Sequence, residues 1–271
     1  MRSFVLKNAI GEQWDLNAED SFLTSPKGLG GERKTTYEQI GNRWIATEDL
    51  QKQKSVTGKV VFESYEKFNQ FCMFAQHRPL TLIYTAAGTY MIQVNVEKIG
   101  KTEMELQGIT ADITLRGLTV WYKNLRIEDT KDGEGKKYPF TYDYIYADSA
   151  IGSISFDADS VADNPVKLVI IGPCTNPIWT QYENGILKAT GKVSCTVPEG
   201  NRLVVDTTKI PYEIAEYGQD GKKVRDHYQN SDFSTQRFLF AGYGHTEISV
   251  THEGNAGIRA AAEVMIEYDA V

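Results

Sequence analysis

The sequence predicts a mostly β protein in two parts: an N-terminal β-sandwich with one helix and a long arm, then a C-terminal β-sandwich of jelly-roll type. Three observations carry this. One short segment, Ser64 to Ala75, has helical periodicity. Elsewhere apolar residues alternate at period two in short runs, punctuated by turns in a chain with 23 Gly and 15 Tyr but only 8 Pro. Finally, Glu128 to Lys137 (EDTKDGEGKK) is charged and free of apolar residues, which marks a linker. The expected domains are 1–128 and 138–271, joined by 129–137.

Ser3 to Asn8 and Trp14 to Leu16 form an expected opening hairpin turned at Gly11. From Ser25 to Ser55 the text turns polar and glycine-rich, with isolated Tyr37, Ile40, Trp44 and Ile45. So long an excursion is not an ordinary loop. Its spaced large apolars predict an arm packed on a surface outside its own core, with Tyr37, Ile40, Trp44 and Ile45 as the interface. Gly28, Gly30 and Gly31 read as arm hinges, because no apolar strand leads into them and no helix leaves them, as a nucleotide loop requires. Strand Gly58 to Phe62 then leads into the helix. Ser64 caps it, Tyr65, Phe68, Phe71, Cys72 and Ala75 form its apolar stripe, and Arg78-Pro79 stops it. Strands at Leu80 to Tyr84, Tyr90 to Ile99, Glu103 to Leu106 and Ala111 to Tyr122 complete the first domain.

In the second half, Phe140, Tyr142, Tyr144 and Tyr146 share one strand face. Short strands follow at 151–156, 166–171, 178–182, 186–189, 192–197, 202–206, 237–240, 245–252 and 260–268, the spacing of a β-sandwich.

Composition excludes several classes. A net charge of −7 and a pI near 5.3 argue against a general nucleic-acid binder, which needs clustered Lys and Arg. Cys72, Cys174 and Cys195 show no C-x-x-C spacing and read as free thiols of a chain made in a reducing cytosol. The opening MRSFVLKNAIGEQWDL is too short and polar for a signal peptide, and no apolar run is long enough to span a membrane. His77, His227, His245 and His252 lack metal spacing and read as surface or turn residues. Asp157, Asp159 and Asp163 lack the glutamate that completes a calcium loop, a position held by Leu168. The tyrosine stripe at 142–146 reads as cross-strand packing before sugar stacking. The expectation is a protein that is not an enzyme and holds no metal or cofactor.

Read in order, several segments resemble the distal tail protein family of siphophages. They are Asp15-Leu16, Gly28-Leu29-Gly30-Gly31, Gly58-Lys59-Val60-Val61-Phe62, Tyr65-Glu66-Lys67-Phe68, Pro79 to Tyr84, Gly117-Leu118-Thr119 and Trp121-Tyr122. In the second half they are Ile171 to Pro177 and Asn184-Gly185. The Gly242-Tyr243-Gly244-His245 turn departs from the family, where an Asn-like residue is expected near His245. The resemblance implies a galectin-like second domain and a homohexameric ring around a central channel, with the arm embracing the neighbouring subunit. It implies a structural role in the virion at the phage tail tip, made in the host cytoplasm. The ring would join the tail tube to the baseplate and leave a channel for DNA. Implied partners are copies of itself, the major tail tube protein, a tail-tip hub protein and receptor-binding proteins, with neither membrane nor specific nucleic-acid binding. The alternative is a carbohydrate-binding module contacting host cell-wall saccharides.

Overall fold

The computed structural model describes residues 2–104, 108–128, 152–254 and 257–271. The expected linker at 129–137 and the aromatic strand at 140–146 lie outside them. The described chain is mostly β and forms two compact units, residues 1–123 with 267–271, and residues 124–266.

The first unit contains β1 (Ser3–Lys7), β2 (Gln13–Asp15), β3 (Asn17–Ala18), β4 (Ser21–Lys27), β5 (Arg33–Ile40), β6 (Arg43–Gln51), β7 (Ser55–Phe62), α1 (Tyr65–Phe74), β8 (Leu80–Thr85), β9 (Thr89–Lys101) and β10 (Ile109–Gly117). The start of β11 (Trp121–Glu128) also belongs to it. An antiparallel ladder runs β2-β1-β8-β9-β10-β7-β4-β3. The long β9 joins its halves, pairing with β8 through Thr89 to Val94 and with β10 through Val94 to Lys101. The two ends of the ladder then meet. Leu16 N–H donates to Phe4 O (2.9 Å), and Leu23 N–H donates to Leu16 O (2.8 Å). This curling lets Phe4, Leu23, Val60, Leu82, Val94 and Leu115, from six strands, share one core. Alternation explains it, since Ile92, Val94 and Val96 of β9 are all buried.

The helix starts where Ser64 Oγ accepts from Lys67 N–H at 3.2 Å, an N-cap contact that satisfies one of the otherwise unpaired first-turn donors. Its buried stripe differs from the expected one. Phe71, Phe74 and Ala75 are buried and Phe68 is half-buried, whereas Tyr65 is exposed and Cys72 only partly covered. At about 100° per residue, Phe68 and Phe74 flank Phe71 closely, while Tyr65 and Cys72 fall at the stripe's margins. Phe71 sits 5.3 Å from both the Trp14 and the Phe62 ring centroids. Tyr65 instead turns its hydroxyl to Glu103 at 2.9 Å. Glu103 and Met104 lie outside any strand, so the expected strand at 103–106 is not seen among the described residues.

The second unit contains β12 (Gly152–Ala158), β13 (Asn164–Ile171), β14 (Cys174–Thr175), β15 (Ile178–Glu183), β16 (Ile186–Lys192), β17 (Thr196–Val197), β18 (Arg202–Asp206), β19 (Glu213–Tyr217), β20 (Lys223–Asp226), β21 (Phe240–Ala241), β22 (Gly244–Thr251) and most of β23 (Arg259–Tyr268). One antiparallel sheet is ordered β12-β22-β15-β16 and another β20-β19-β18-β13-β23. Each buries alternate residues: Ile154, Trp179, Ile248 and Val250 in the first; Leu168, Ile170, Leu203, Val205 and Val264 in the second. Asn184-Gly185, with φ of 49° and 81°, makes the two-residue turn from β15 to β16 that positive φ favours. Asn184 Oδ1 also accepts from His245 N–H at 3.0 Å, which ties the β15–β16 turn to the start of β22. β19 and β20 were not expected. Their charged sequences, EIAEY and KVRD, hide a strand that buries Ile214, Ala215 and a carboxylate, Glu216.

Candidate functional site

The excursion after β4 is a β-hairpin. Its exposed part is narrower than 25–55, because β4 runs to Lys27 and β7 begins at Ser55, both within the ladder. The chain leaves β4 at Gly28, whose φ is 86° and whose Cβ position would fall 1.9 Å from Ser55 O. Only glycine fits there. Gly30 and Gly31 lack positive φ; a side chain at Gly30 would meet nothing within 4 Å, and one at Gly31 would lie 3.2 Å from Asp269 O.

β5 and β6 pair from Arg33↔Gln51 to Ile40↔Arg43, and only with each other. Gly41-Asn42 joins them, with Gly41 at φ 62° in the first central position, where a type II′ turn places glycine. A bulge lies between Thr36 and Tyr37. Every residue of β6, and every residue of β5 except Thr35, is exposed.

Because directly paired residues share a face, Trp44 (opposite Gln39) and Tyr37 (opposite Ala46) lie on one side. Ile40 (opposite Arg43) and Ile45 (opposite Glu38) lie on the other. The four interface residues expected from sequence are thus gathered at the outer half of one hairpin, apolar on both faces. All are at least half exposed, Trp44 by 66%. A fifth exposed apolar residue, Leu50, was overlooked. It lies nearer the base, opposite Lys34.

The base is charged. Arg33 Nε lies 2.9 and 3.0 Å from the Asp49 carboxylate oxygens, and Thr35 Oγ1 donates to Asp49 Oδ1 at 3.0 Å. These hydrogen bonds hold the Asp49 carboxyl below its usual range and raise the Arg33 guanidinium. Lys52 pairs with Glu32 and lowers it. Burial pushes Lys54 down. Such exposed pairs contribute little stability; along an open strand they keep the polypeptide soluble.

Elsewhere, one expectation about the histidines fails. His227 is 1% exposed, its Nε2 3.2 Å from Glu216 Oε2, and Asn201 donates to the other oxygen of the same carboxylate. The two are brought together when β19 turns into β20, and His227 N–H donates to Ile214 O at 2.8 Å. His245 does lie at the surface, 2.9 Å from Asp157 Oδ1. Among the described residues no three His, Cys, Asp or Glu side chains gather as a metal site, and the three cysteines are free. No described helix is long and apolar enough to cross a membrane.

Residues 3–118 match the family model described as "Distal tail protein, N-terminal domain". That segment contains the ladder, the helix and the hairpin. That segment is similar to the N-terminal domain of distal tail proteins. Among solved structures, it resembles a chain of the phage P2 baseplate in its activated conformation with Ca at TM-score 0.67 and 15% identity, covering 100% of both chains. The same baseplate with Sr gives the same values. The SPP1 Dit protein, described as a paradigm of hub adsorption apparatus in Gram-positive infecting phages, resembles it at TM-score 0.62 and 8% identity, over 98% of this chain and 99% of that one. At these identities the likeness is one of fold, and it extends through the second unit. A search of curated protein sequences finds no match.

Proposed function

We propose that the chain is a distal tail protein, a structural component of the phage virion, that it forms a closed homohexameric ring joining the tail tube to the baseplate or tail tip, and that the 33–51 hairpin clasps the neighbouring copy. One observation carries the reading: a hairpin apolar on both faces at its tip, with none of the described residues over it. A purely solvated loop has no use for Trp44, and interfaces concentrate their energy in such aromatic anchors. A patch that meets a different patch on the next copy closes under rotation into a ring. In this reading the ring encloses a channel for DNA, and the net charge of −7 lets phosphates pass without being gripped. The major tail tube protein, a tail-tip hub protein and receptor-binding proteins are the proposed neighbours, and 129–137 is the proposed linker to a galectin-like second domain.

The test replaces residues 33–51 by a short Gly-Ser turn. The expected result is a monomer with an almost unchanged melting temperature and no rings by electron microscopy or light scattering. Rings that persist would overturn the reading.

A second reading is favoured by a groove of about 1050 Å³ in the second unit. Tyr212, Tyr217, Tyr228 and Phe238 line it beside Glu213 and Asp226, and Tyr212 packs 5.1 Å from Phe238. Rings flanked by carboxylates suit a saccharide, with host cell-wall glycans as the ligand class. A glycan array probed with the native chain and with Tyr212→Ala tests it. Retention by the native chain alone supports the reading; no retention, or equal retention, removes it.

A further inference from the structure

The hairpin strands pair only with each other, so the ladder does not set the hairpin's direction. It is set at the base, where the contacts converge on one residue of the C-terminal segment. Arg33 Nη1, at the start of β5, lies 3.2 Å from Asp269 Oδ2. Gln51 Nε2, at the end of β6, donates to Asp269 Oδ1. Lys54 Nζ, one residue before β7, donates to Asp269 O and lies 3.4 Å from Gly30 O. Gly31 approaches that same Asp269 carbonyl so closely that a Cβ would sit 3.2 Å from it. Val271 N–H donates to Leu29 O at 3.1 Å. One short segment therefore grips both legs of the hairpin, 29–33 and 51–54.

The same segment is anchored in the core on either side of its grip. Tyr268 meets Tyr90 edge to face at 5.2 Å, and the Lys123 ammonium lies over both rings at 4.5 and 4.8 Å. Tyr268 and Val271 both pack against the core cluster of the first unit. Between these anchors, Asp269 offers a carboxylate to two legs and a carbonyl to a third donor. Lys54 is 5% exposed, and a buried ammonium is costly unless its donors are met. Its acceptors are main-chain carbonyls, one from the hairpin's entry and one from the C-terminal segment, so its position depends on both.

We infer that residues 268–271 are a clamp that aims the hairpin, with Asp269 as the positioning residue on which ring assembly depends. This rests on the reading of the hairpin as the clasp. A hairpin two strands wide is stiff along its length but swings about its legs. A small rotation at the base displaces Trp44 and Ile40 by much more, because each strand residue adds about 3.3 Å of reach. Fixing the legs in advance removes that freedom before the partner arrives, which is how preorganisation strengthens association.

The test uses the full chain with Asp269→Ala, Arg33→Asp, and the double exchange Arg33→Asp with Asp269→Arg. Two quantities are read: hydrogen exchange of segment 29–54 in dilute monomer, and the concentration at which half the protein is assembled. Asp269→Ala should speed exchange at both legs about tenfold and raise the half-assembly concentration at least tenfold, with melting within about 2 °C of native. Arg33→Asp should do the same and more, because it also sets a carboxylate beside Asp49, and the double exchange should recover the Asp269 share of the loss while the Asp49 share remains. A purely structural role would move the melting temperature and would not be rescued by reversing the charges. If replacing 33–51 abolishes rings but Asp269→Ala leaves exchange and assembly within twofold, the clamp is wrong and the clasp stands. If exchange rises while assembly is unchanged, aiming the hairpin is irrelevant and the inference is also overturned. If rings survive the loss of 33–51, the clasp reading itself falls.

Discussion

Replacing Trp44 by alanine separates a residue that builds the chain from one that builds the assembly. The ring is 66% exposed, and an indole side chain offers about 200 Å². About 130 Å² therefore remains for a partner to cover, which at about 25 cal/mol per Å² corresponds to about 3 kcal/mol. Ordering the side chain takes back about 0.5–1 kcal/mol. That leaves about 2 kcal/mol per contact, or association roughly 30-fold weaker in the variant. The monomer should hardly notice, because a surface substitution of this kind stays within about 0.5 kcal/mol. Sedimentation velocity over a concentration series measures the first effect, and thermal melting of the dilute chain measures the second. A half-assembly concentration that moves less than threefold would refute the anchor role. A melting temperature that falls by more than about 4 °C, equivalent to some 1 kcal/mol, would show that Trp44 supports its own fold instead.

Other consequences are open to the same kind of measurement. Gly28→Ala should cost about 1–3 kcal/mol or more in urea unfolding, given its φ of 86° and the Ser55 carbonyl in its way, while Gly30→Ala should be neutral or slightly stabilising; equal losses would contradict this geometry. Phe71→Ala should cost about 3–5 kcal/mol and the half-buried Phe68→Ala about 2 kcal/mol, and a reversed order in denaturant midpoints would mean that the helix packs through another face. Burial, with the Glu216 carboxylate adding to it, pushes the Cys174 thiol up to about 11; Cys195 is pushed to a similar value by burial, then by Cys174 and Glu216. At pH 8 about 0.1% of each would be thiolate against about 25% of an ordinary cysteine, so alkylation of the folded chain by iodoacetamide should be slower by two orders of magnitude, and labelling at the unfolded rate would exclude that environment.

What could be read from the sequence was what neighbouring residues decide together. Ser64 ahead of an apolar stripe marked the helix, and Ile92, Val94 and Val96 marked a half-buried strand. Asn184-Gly185 is a turn by its own chemistry. The hairpin could be seen as an anomaly but not as a shape. Gly41-Asn42 is a turn signal, yet the flanking Glu38, Gln39 and Arg43 lack the apolar alternation that identifies paired strands. The apolar residues there serve two faces at once, which blurs a period of two. His227 looked like a surface histidine because its partner, Glu216, is met only after β19 and β20 pair. Asp269 could not be connected to Arg33 at all. They are separated by 236 positions, and no local rule links an aspartate after β23 to an arginine at the foot of a hairpin.

The curled ladder also bears on how the protein avoids the wrong kind of association. An open strand edge is a template for fibril growth, and folded proteins do not leave a long one free. Here the ladder ends in β2 and β3, of three and two residues, too short to template another chain. Its two ends are further tied together through Leu16. The hairpin keeps open edges, but Lys34, Glu38, Arg43 and Glu48 are spread along them. A second chain adding by backbone pairing would have to accommodate those charges, so growth strand by strand is disfavoured wherever the first unit presents an edge. Under the proposed clasp, self-recognition would rest on side-chain complementarity at the hairpin tip, a contact that can saturate.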